Sequence, residues 1–330
     1  MRLQILITQF NEDDKLIKPL LNSIELQQNI DFKDVEVLIG NDGSETFISD
    51  ELLKSYSYSI KYYKFEHSRL AGCRKNLFDI SSADYIMYCD ADDMFLSNIA
   101  INLILDATKD DPECIVCNFA GEIPVDKDKY IYRLYENDAV FVHGKVYRRN
   151  FLTKHHIEWH SELHEHQDSA FNVLARSIAK KTKFIKISLY LWKYNPESIS
   201  RKNGKMYTVY TWPHMIDSYD CLVNDLKERG FGFQARYYAM YCIYATYYEM
   251  RRKMWHQEGV GQYIAAAHER LIKFFNKYSL LLQYVDDEKT LNKIDETNKQ
   301  IVKSKDELVE AEPIEDWLKS LLSVYSYKVS

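Results

Sequence analysis

Along this chain the spacing of apolar residues changes period partway through. In the first part short apolar runs alternate with helical spacing: Leu3 to Thr8 reads as a buried strand, and Leu16, Ile17, Leu20, Leu21 and Ile24 then fall on one face of a helix. Val35 to Gly40, Ile60 to Phe65 and Tyr85 to Cys89 repeat the strand pattern, with a helical segment over residues 70–81 between the last two. Strands alternating with helices predict an α/β fold, a mostly parallel sheet with helices on both faces. Ligands of such sheets collect beyond the carboxyl ends of the strands. Three polar clusters lie there, Thr8-Gln9-Phe10-Asn11-Glu12, Asn41-Asp42-Gly43-Ser44 and Asp90-Ala91-Asp92-Asp93, and they are expected to surround one crevice.

From Met206 onward helical periodicity dominates. Tyr237, Tyr241, Tyr244 and Tyr248 make one stripe on one helix, which reads as core with hydroxyls at its edge. Leu281 to Gln283 and the charged Asp286 to Glu310 stretch suggest further helices. Pro313 is expected to start the last one, whose Ile314, Trp317, Leu318, Leu321 and Leu322 present an apolar face for docking or self-association.

With 330 residues, 46% of them hydrophobic and 28% charged, the chain is long enough for one large or two smaller cored domains. No apolar run approaches the length of a bilayer span, and the start has too short an apolar core for a signal peptide. The protein is therefore read as cytoplasmic, with a peripheral place at the inner membrane face as a variant of that reading. The six cysteines are scattered as buried thiols are; Cys114 and Cys117 form a CxxC inside a strand-like run, which reads as core packing. A net charge of −6 argues against a general nucleic-acid binder, and Arg236 with Arg251-Arg252-Lys253 is the one suggestive basic cluster.

Candidate chemistry centres on Asp90-Ala91-Asp92. Alternate residues of an extended backbone point the same way, so the two carboxylates would converge on Mg²⁺ or Mn²⁺ beside a diphosphate. The same triplet also suits a solvated turn after a buried strand, so its neighbours must decide.

Those neighbours carry a resemblance. The order Thr8-Gln9-Phe10-Asn11-Glu12, Asn41-Asp42-Gly43-Ser44, Arg74 and Asp90-Ala91-Asp92-Asp93 resembles the donor half of family 2 inverting glycosyltransferases, which have the GT-A fold. Thr8 stands where proline is usual, Asn41 replaces an aspartate, and Lys75 and Leu77 fall where asparagine and glycine are common. The resemblance implies a UDP-sugar donor, with Asp42 accepting the uracil imide N–H, Phe10 facing the base, and Thr8, Glu12 and Ala91 lining the pocket. It implies that Arg74 turns toward ribose, diphosphate or Asp90, and that Asp92 coordinates the metal more directly than Asp90.

The resemblance runs on through Val142 to Arg149 and Ile157 to Glu162 to Gln167-Asp168, which matches the family's E-D pair and makes Asp168 the expected catalytic base. Glu165 is its nearest competitor, and a helix N-cap is the structural alternative for Asp168. His155, His156, His160, His164 and His166 cluster with acidic residues but lack a zinc-binding arrangement, and are read as lining an acceptor groove. Leu189 to Lys202 resembles the closing strand and a loop over the diphosphate, in which Ser198 and Ser200 would donate hydroxyl hydrogen bonds and Arg201 or Lys202 would balance phosphate charge.

The expected organisation is a GT-A catalytic domain over 1–204 and an all-α module over 205–330 that selects the acceptor or self-associates. The expected activity is metal-dependent inverting transfer from a UDP-sugar to a hydroxyl of a cell-surface polysaccharide, teichoic acid or glycolipid. Two alternatives stay open: a glycosyltransferase acting on a modified nucleic-acid base, and an inactive nucleotide-sugar-binding scaffold.

Overall fold

The computed structural model describes residues 1–127, 129–198, 201, 206–282, 288–303 and 308–326. Contacts divide the chain into two units, Met1–Pro196 and Glu197–Ser330.

The first unit is built on a nine-stranded sheet. β1 (Leu3–Gln9) pairs in parallel with β2 (Val35–Asp42) on one side and β4 (Tyr85–Asp90) on the other, and β3 (Ser59–Phe65) continues in parallel beyond β2. These are the four strands that the apolar runs predicted. The other half is mixed. β8 (Lys145–Arg148) lies antiparallel between β4 and β6 (Cys114–Asp126), and β9 (Thr182–Trp192) runs parallel to β6. The short β5 (Met94–Phe95) and β7 (Lys129–Tyr135) pair antiparallel with β9 and β6.

Period-2 alternation decides what each sheet face meets. Leu3, Ile5, Ile7, Val35, Val37 and Ile39 join the buried cluster formed with Ile17, Leu20, Leu21 and Ile24 of α1 (Asp14–Glu25) and Ile101, Ile104 and Leu105 of α4 (Ala100–Thr108). The opposite face meets α3 (Arg69–Ile80) and α6 (Gln167–Ile178): Cys73 Sγ donates to the Gly40 carbonyl, and Tyr88 stands edge-on to Trp159 and Phe171; the short α2 (Asp50–Lys54) and α5 (Arg149–Lys154) are further described helices of this unit. Asp13 caps α1, its carboxylate accepting from Leu16 N at 2.9 Å.

The second unit is helical over Tyr207–Glu228, Gly232–Met250, Gly261–Leu282, Glu288–Lys303 and Ile314–Ser326. Of the tyrosine stripe, Tyr244 and Tyr248 are buried in a cluster with Tyr247, Ile294 and Val302, and Tyr237 and Tyr241 pack against it. Tyr248 donates to Asp295 Oδ1 at 2.6 Å, so the stripe is core with hydroxyls at its edge. Ile314 and Trp317 pack on the same cluster, so part of the apolar face expected to dock elsewhere is covered inside the unit. The basic cluster is engaged too: Arg251 Nε donates to the Val309 carbonyl and Arg252 to Glu249. Gln283, Asp286, Ser200 and Lys202 lie outside the described residues. No described helix is long and apolar enough to cross a membrane.

Candidate active site

Strand register brings the polar clusters level with one another. Thr8 pairs with Gly40 of β2 and with Asp90 of β4, so the ends of β1, β2 and β4 share one edge of the sheet. The loops beyond them are tied together by amides. Gln9 Nε2 donates to the carbonyls of Glu12 and Thr46, and Asn11 Oδ1 accepts from Glu45 N. Asn41 shows why an amide suits the position where the family has an aspartate. It is 1% exposed, accepts from Ser44 N at 2.8 Å and donates to the Tyr62 hydroxyl at 2.7 Å, and a carboxylate there would be buried with no cation beside it in the described contacts. Gly43 turns the loop with φ +73°, and a Cβ there would sit 2.9 Å from His67 N.

Asp42 lies at the end of β2 with its carboxylate engaged. Oδ1 accepts from both Ser68 N and Ser68 Oγ, at 2.7 and 2.9 Å, and Oδ2 lies 3.0 Å from His67 Nδ1. A carboxylate has about four acceptor directions, so Oδ2 keeps room for one more donor. Phe10 is 49% exposed and its ring lies 4.9 Å from that of His67. An exposed aromatic pair therefore stands beside Asp42. His67 was missed in the sequence although it follows β3, where the strand-end rule applied as well as it did to the other three strands.

Arg74, on α3, is the centre of the acidic part of the site. Its guanidinium is 1% exposed, lies 4.7 Å from the centre of the Trp159 ring, and forks between two carboxylates. Nη2 donates to Asp90 Oδ1 at 2.8 Å, and Nη1 donates to Asp168 Oδ1. Burial works against the arginine's charge, but Asp168 and Asp90 outweigh it and raise the pKa. Of the three directions expected for Arg74, the described contacts include Asp90; the link to Asp168 was not foreseen.

Asp168 sits in the first turn of α6 without capping it. The N-cap is His166, in the left-handed region at φ 59°, and it makes no side-chain cap bond. Asp168 spends Oδ1 on Arg74, and Oδ2 accepts from Val142 N at 3.3 Å. The helix-cap alternative therefore falls. Gln167 is 7% exposed with Oε1 lacking a hydrogen-bond partner among the described residues, an environment in which a charged glutamate would be costly. In the histidine cluster, His160 Nδ1 lies 2.9 Å from Glu162 and His164 Nε2 lies 2.6 Å from Arg69 Nη1.

The acidic run itself is braced from β9. Tyr190's hydroxyl accepts from Asp90 N at 3.2 Å and donates to Asp93 Oδ2 at 2.8 Å, while Asp93 Oδ1 accepts from Lys193 N. Asp93 is fully buried, and burial pushes its carboxyl well above the ordinary range. His143, buried 3.5 Å from it, is pushed down to about 3 by burial, so burial disfavours charge on both members of this pair behind the motif. Asp92 accepts from Asn195 Nδ2 at 2.8 Å. Glu12 is pushed up to about 7, mostly by burial and further by the charges of Asp92 and Asp90.

Asp90, Asp93 and His143 offer atoms within 4.8 Å of one another, but Asp93 and His143 are sealed from solvent. Asp92 and Asp90, whose charges act on nearby Glu12, are hard oxygen donors that are only partly buried, the donor chemistry that Mn²⁺ or Mg²⁺ takes. Arg201 belongs to the second unit, where its N–H donates to the Ser198 carbonyl.

A family model described as Glycosyl transferase family 2 matches residues 4–180. The uncharacterized glycosyltransferase YibD of Escherichia coli (strain K12) is 26% identical over 224 residues, 61% of this chain and 63% of that protein. Glycosyltransferase GlyA of Streptococcus pneumoniae serotype 4 (strain ATCC BAA-334 / TIGR4) is 22% identical over 263 residues, 71% of this chain and 36% of that protein. The chain thus spans less than two thirds of the length of these curated relatives. Among solved structures, S. aureus TarS 1-349 in complex with UDP matches with a TM-score of 0.51 at 14% identity, over 95% of this chain and 98% of that one. At that identity the likeness shows the fold alone, which is GT-A.

Proposed function

The chain belongs to glycosyl transferase family 2 as a glycosyltransferase of GT-A fold, and we propose that it moves a sugar from a UDP-sugar, with inversion, to a hydroxyl of a polysaccharide, teichoic acid or glycolipid. The observation that carries this reading is the fork of Arg74 between Asp90 and Asp168. One planar guanidinium ties the donor-side motif to the proposed base across the site, so the two ends of the reaction are held at a set separation.

In this reading Asp42 and the Phe10–His67 pair take the uracil, with Thr8 at the sheet edge. Asp92 and Asp90 would hold Mn²⁺ or Mg²⁺, with Glu12 alongside, and a cation there would supply charge neutralisation to the diphosphate. The acceptor hydroxyl gives its proton to Asp168 as its oxygen bonds to the anomeric carbon, and the bond from that carbon to the diphosphate oxygen breaks on the opposite face. UDP leaves with the bonding pair. Arg74 and Val142 N orient the Asp168 carboxylate for this without using all of its lone pairs. TarS, of the same fold, has been crystallised with UDP and with UDP-GlcNAc, which supports uridine as the carrier.

The test is thermal shift with UDP, GDP, CDP and dTDP, each with and without Mn²⁺, followed by hydrolysis of a UDP-sugar panel. Stabilisation by UDP that depends on Mn²⁺ is expected; equal shifts for all four nucleotides, or none for UDP, would overturn the donor assignment.

A further inference from the structure

Beyond the donor crevice, β6 and β7 continue as a two-stranded ribbon whose faces differ in chemistry. Register pairs Glu122 with Tyr132, Pro124 with Tyr130 and Ala120 with Leu134 on one face, and Ile123 with Ile131 and Gly121 with Arg133 on the other. Tyr130 is 37% exposed and Tyr132 57%. The tyrosine face connects to the acidic motif through the segment after β9. Glu122 Oε2 accepts from Tyr194 N at 2.8 Å, the Tyr194 and Tyr130 rings lie 6.0 Å apart, and the next residue, Asn195, donates to Asp92. The shelf is thus continuous with the proposed donor site within the first unit.

We infer that Tyr130, Tyr132 and Tyr194 form an acceptor shelf on which pyranose rings of a carbohydrate chain stack. Alternate residues of a strand lie about 7 Å apart, a spacing on the scale of one sugar ring. Tyrosine offers a flat apolar face to sugar C–H groups and a hydroxyl to their oxygens, at low cost in side-chain entropy. Glu122 adds a carboxylate able to accept from sugar hydroxyls. A lipid or a second copy of the chain would be expected on the face of Ile123, Ile131 and Arg133, which points the other way and offers aliphatic groups beside a cation. The shelf rests on the transferase reading and deepens it, naming a glycan as the acceptor.

The full chain, held with UDP and Mn²⁺, is applied to an array of neutral and amino-sugar oligosaccharides, beside the double variant Tyr130→Ala/Tyr132→Ala and the single variant Tyr130→Trp. The wild type is expected to bind a subset of the glycans, the double variant to lose about tenfold in signal, and Tyr130→Trp to retain it, with UDP-induced thermal shifts equal in all three. No glycan binding by a wild type that still binds UDP, or equal binding by the double variant, overturns the shelf. So does a switch from dimer to monomer in light scattering, or a loss of binding to anionic phospholipid vesicles, in the double variant. A wild type that fails to bind UDP overturns the transferase reading itself, and the acceptor role with it.

Discussion

Arg74 and Asp168, 94 positions apart in sequence, meet through the arginine's Nη1 while its Nη2 stays on Asp90. The charge of a buried guanidinium is tolerated only because carboxylates answer it, so neither side of the pair is independent of the other.

Replacing the arginine therefore affects folding and turnover together. Arg74→Ala is expected to cost about 3 kcal/mol of stability, because two half-buried carboxylates lose their cation, and Arg74→Lys less, since a point charge reaches one carboxylate well and the other poorly. Thermal melts read the first effect. UDP-sugar hydrolysis reads the second, with Arg74→Lys expected well below wild type at saturating donor.

Asp168→Asn keeps the shape and the oxygen facing Arg74 but removes the proposed base. A fall in kcat of about a thousandfold with donor KM unchanged is expected, whereas Glu165→Gln should lower kcat far less. Steady-state kinetics decide it, and an Asp168→Asn enzyme near wild-type turnover would remove this residue from the mechanism.

Glu12 makes stability depend on pH in a defined direction. Its folded pKa of about 7 lies above the ordinary 4.5, so between those values the folded chain keeps a proton that the unfolded chain has released. Its contribution is fully present below pH 4.5 and is lost as pH rises through 7. Relative to wild type, Glu12→Gln should gain stability across that window and level off above it, and urea melts from pH 5 to 8 will show whether it does. A constant difference between the two proteins would show that Glu12 titrates normally.

Tyr190 tests the brace behind the motif. Tyr190→Phe removes the hydroxyl that accepts from Asp90 N and donates to Asp93, at an expected cost of about 1–3 kcal/mol. It should also weaken Mn²⁺-dependent binding of UDP in titration calorimetry, with the Asp90 and Asp92 carboxylates themselves unchanged. Destabilisation with unaltered metal dependence would reduce Tyr190 to a packing residue.

Much of this protein is determined by local sequence. The strands β1 to β4, the helices between them and the helical second unit follow from the period of burial, which each segment carries in its own residues. The acidic motif, Asp42 and Asp168 could be singled out as candidates because they lie at strand ends and a helix start, and residues 4–180 match the family whose motifs they resemble. The tertiary structure alone decided which of these groups touch. Asp168 reaches Arg74, and Tyr190 reaches Asp90 and Asp93 across about a hundred positions, because β8 enters antiparallel beside β4 and β9 lies along β6. His67 stands beside Asp42 because a glycine turn lets the loop after β2 close on the end of β3. Periodicity records how each segment is buried, whereas pairing across the sheet depends on strand order and direction, which no single segment encodes.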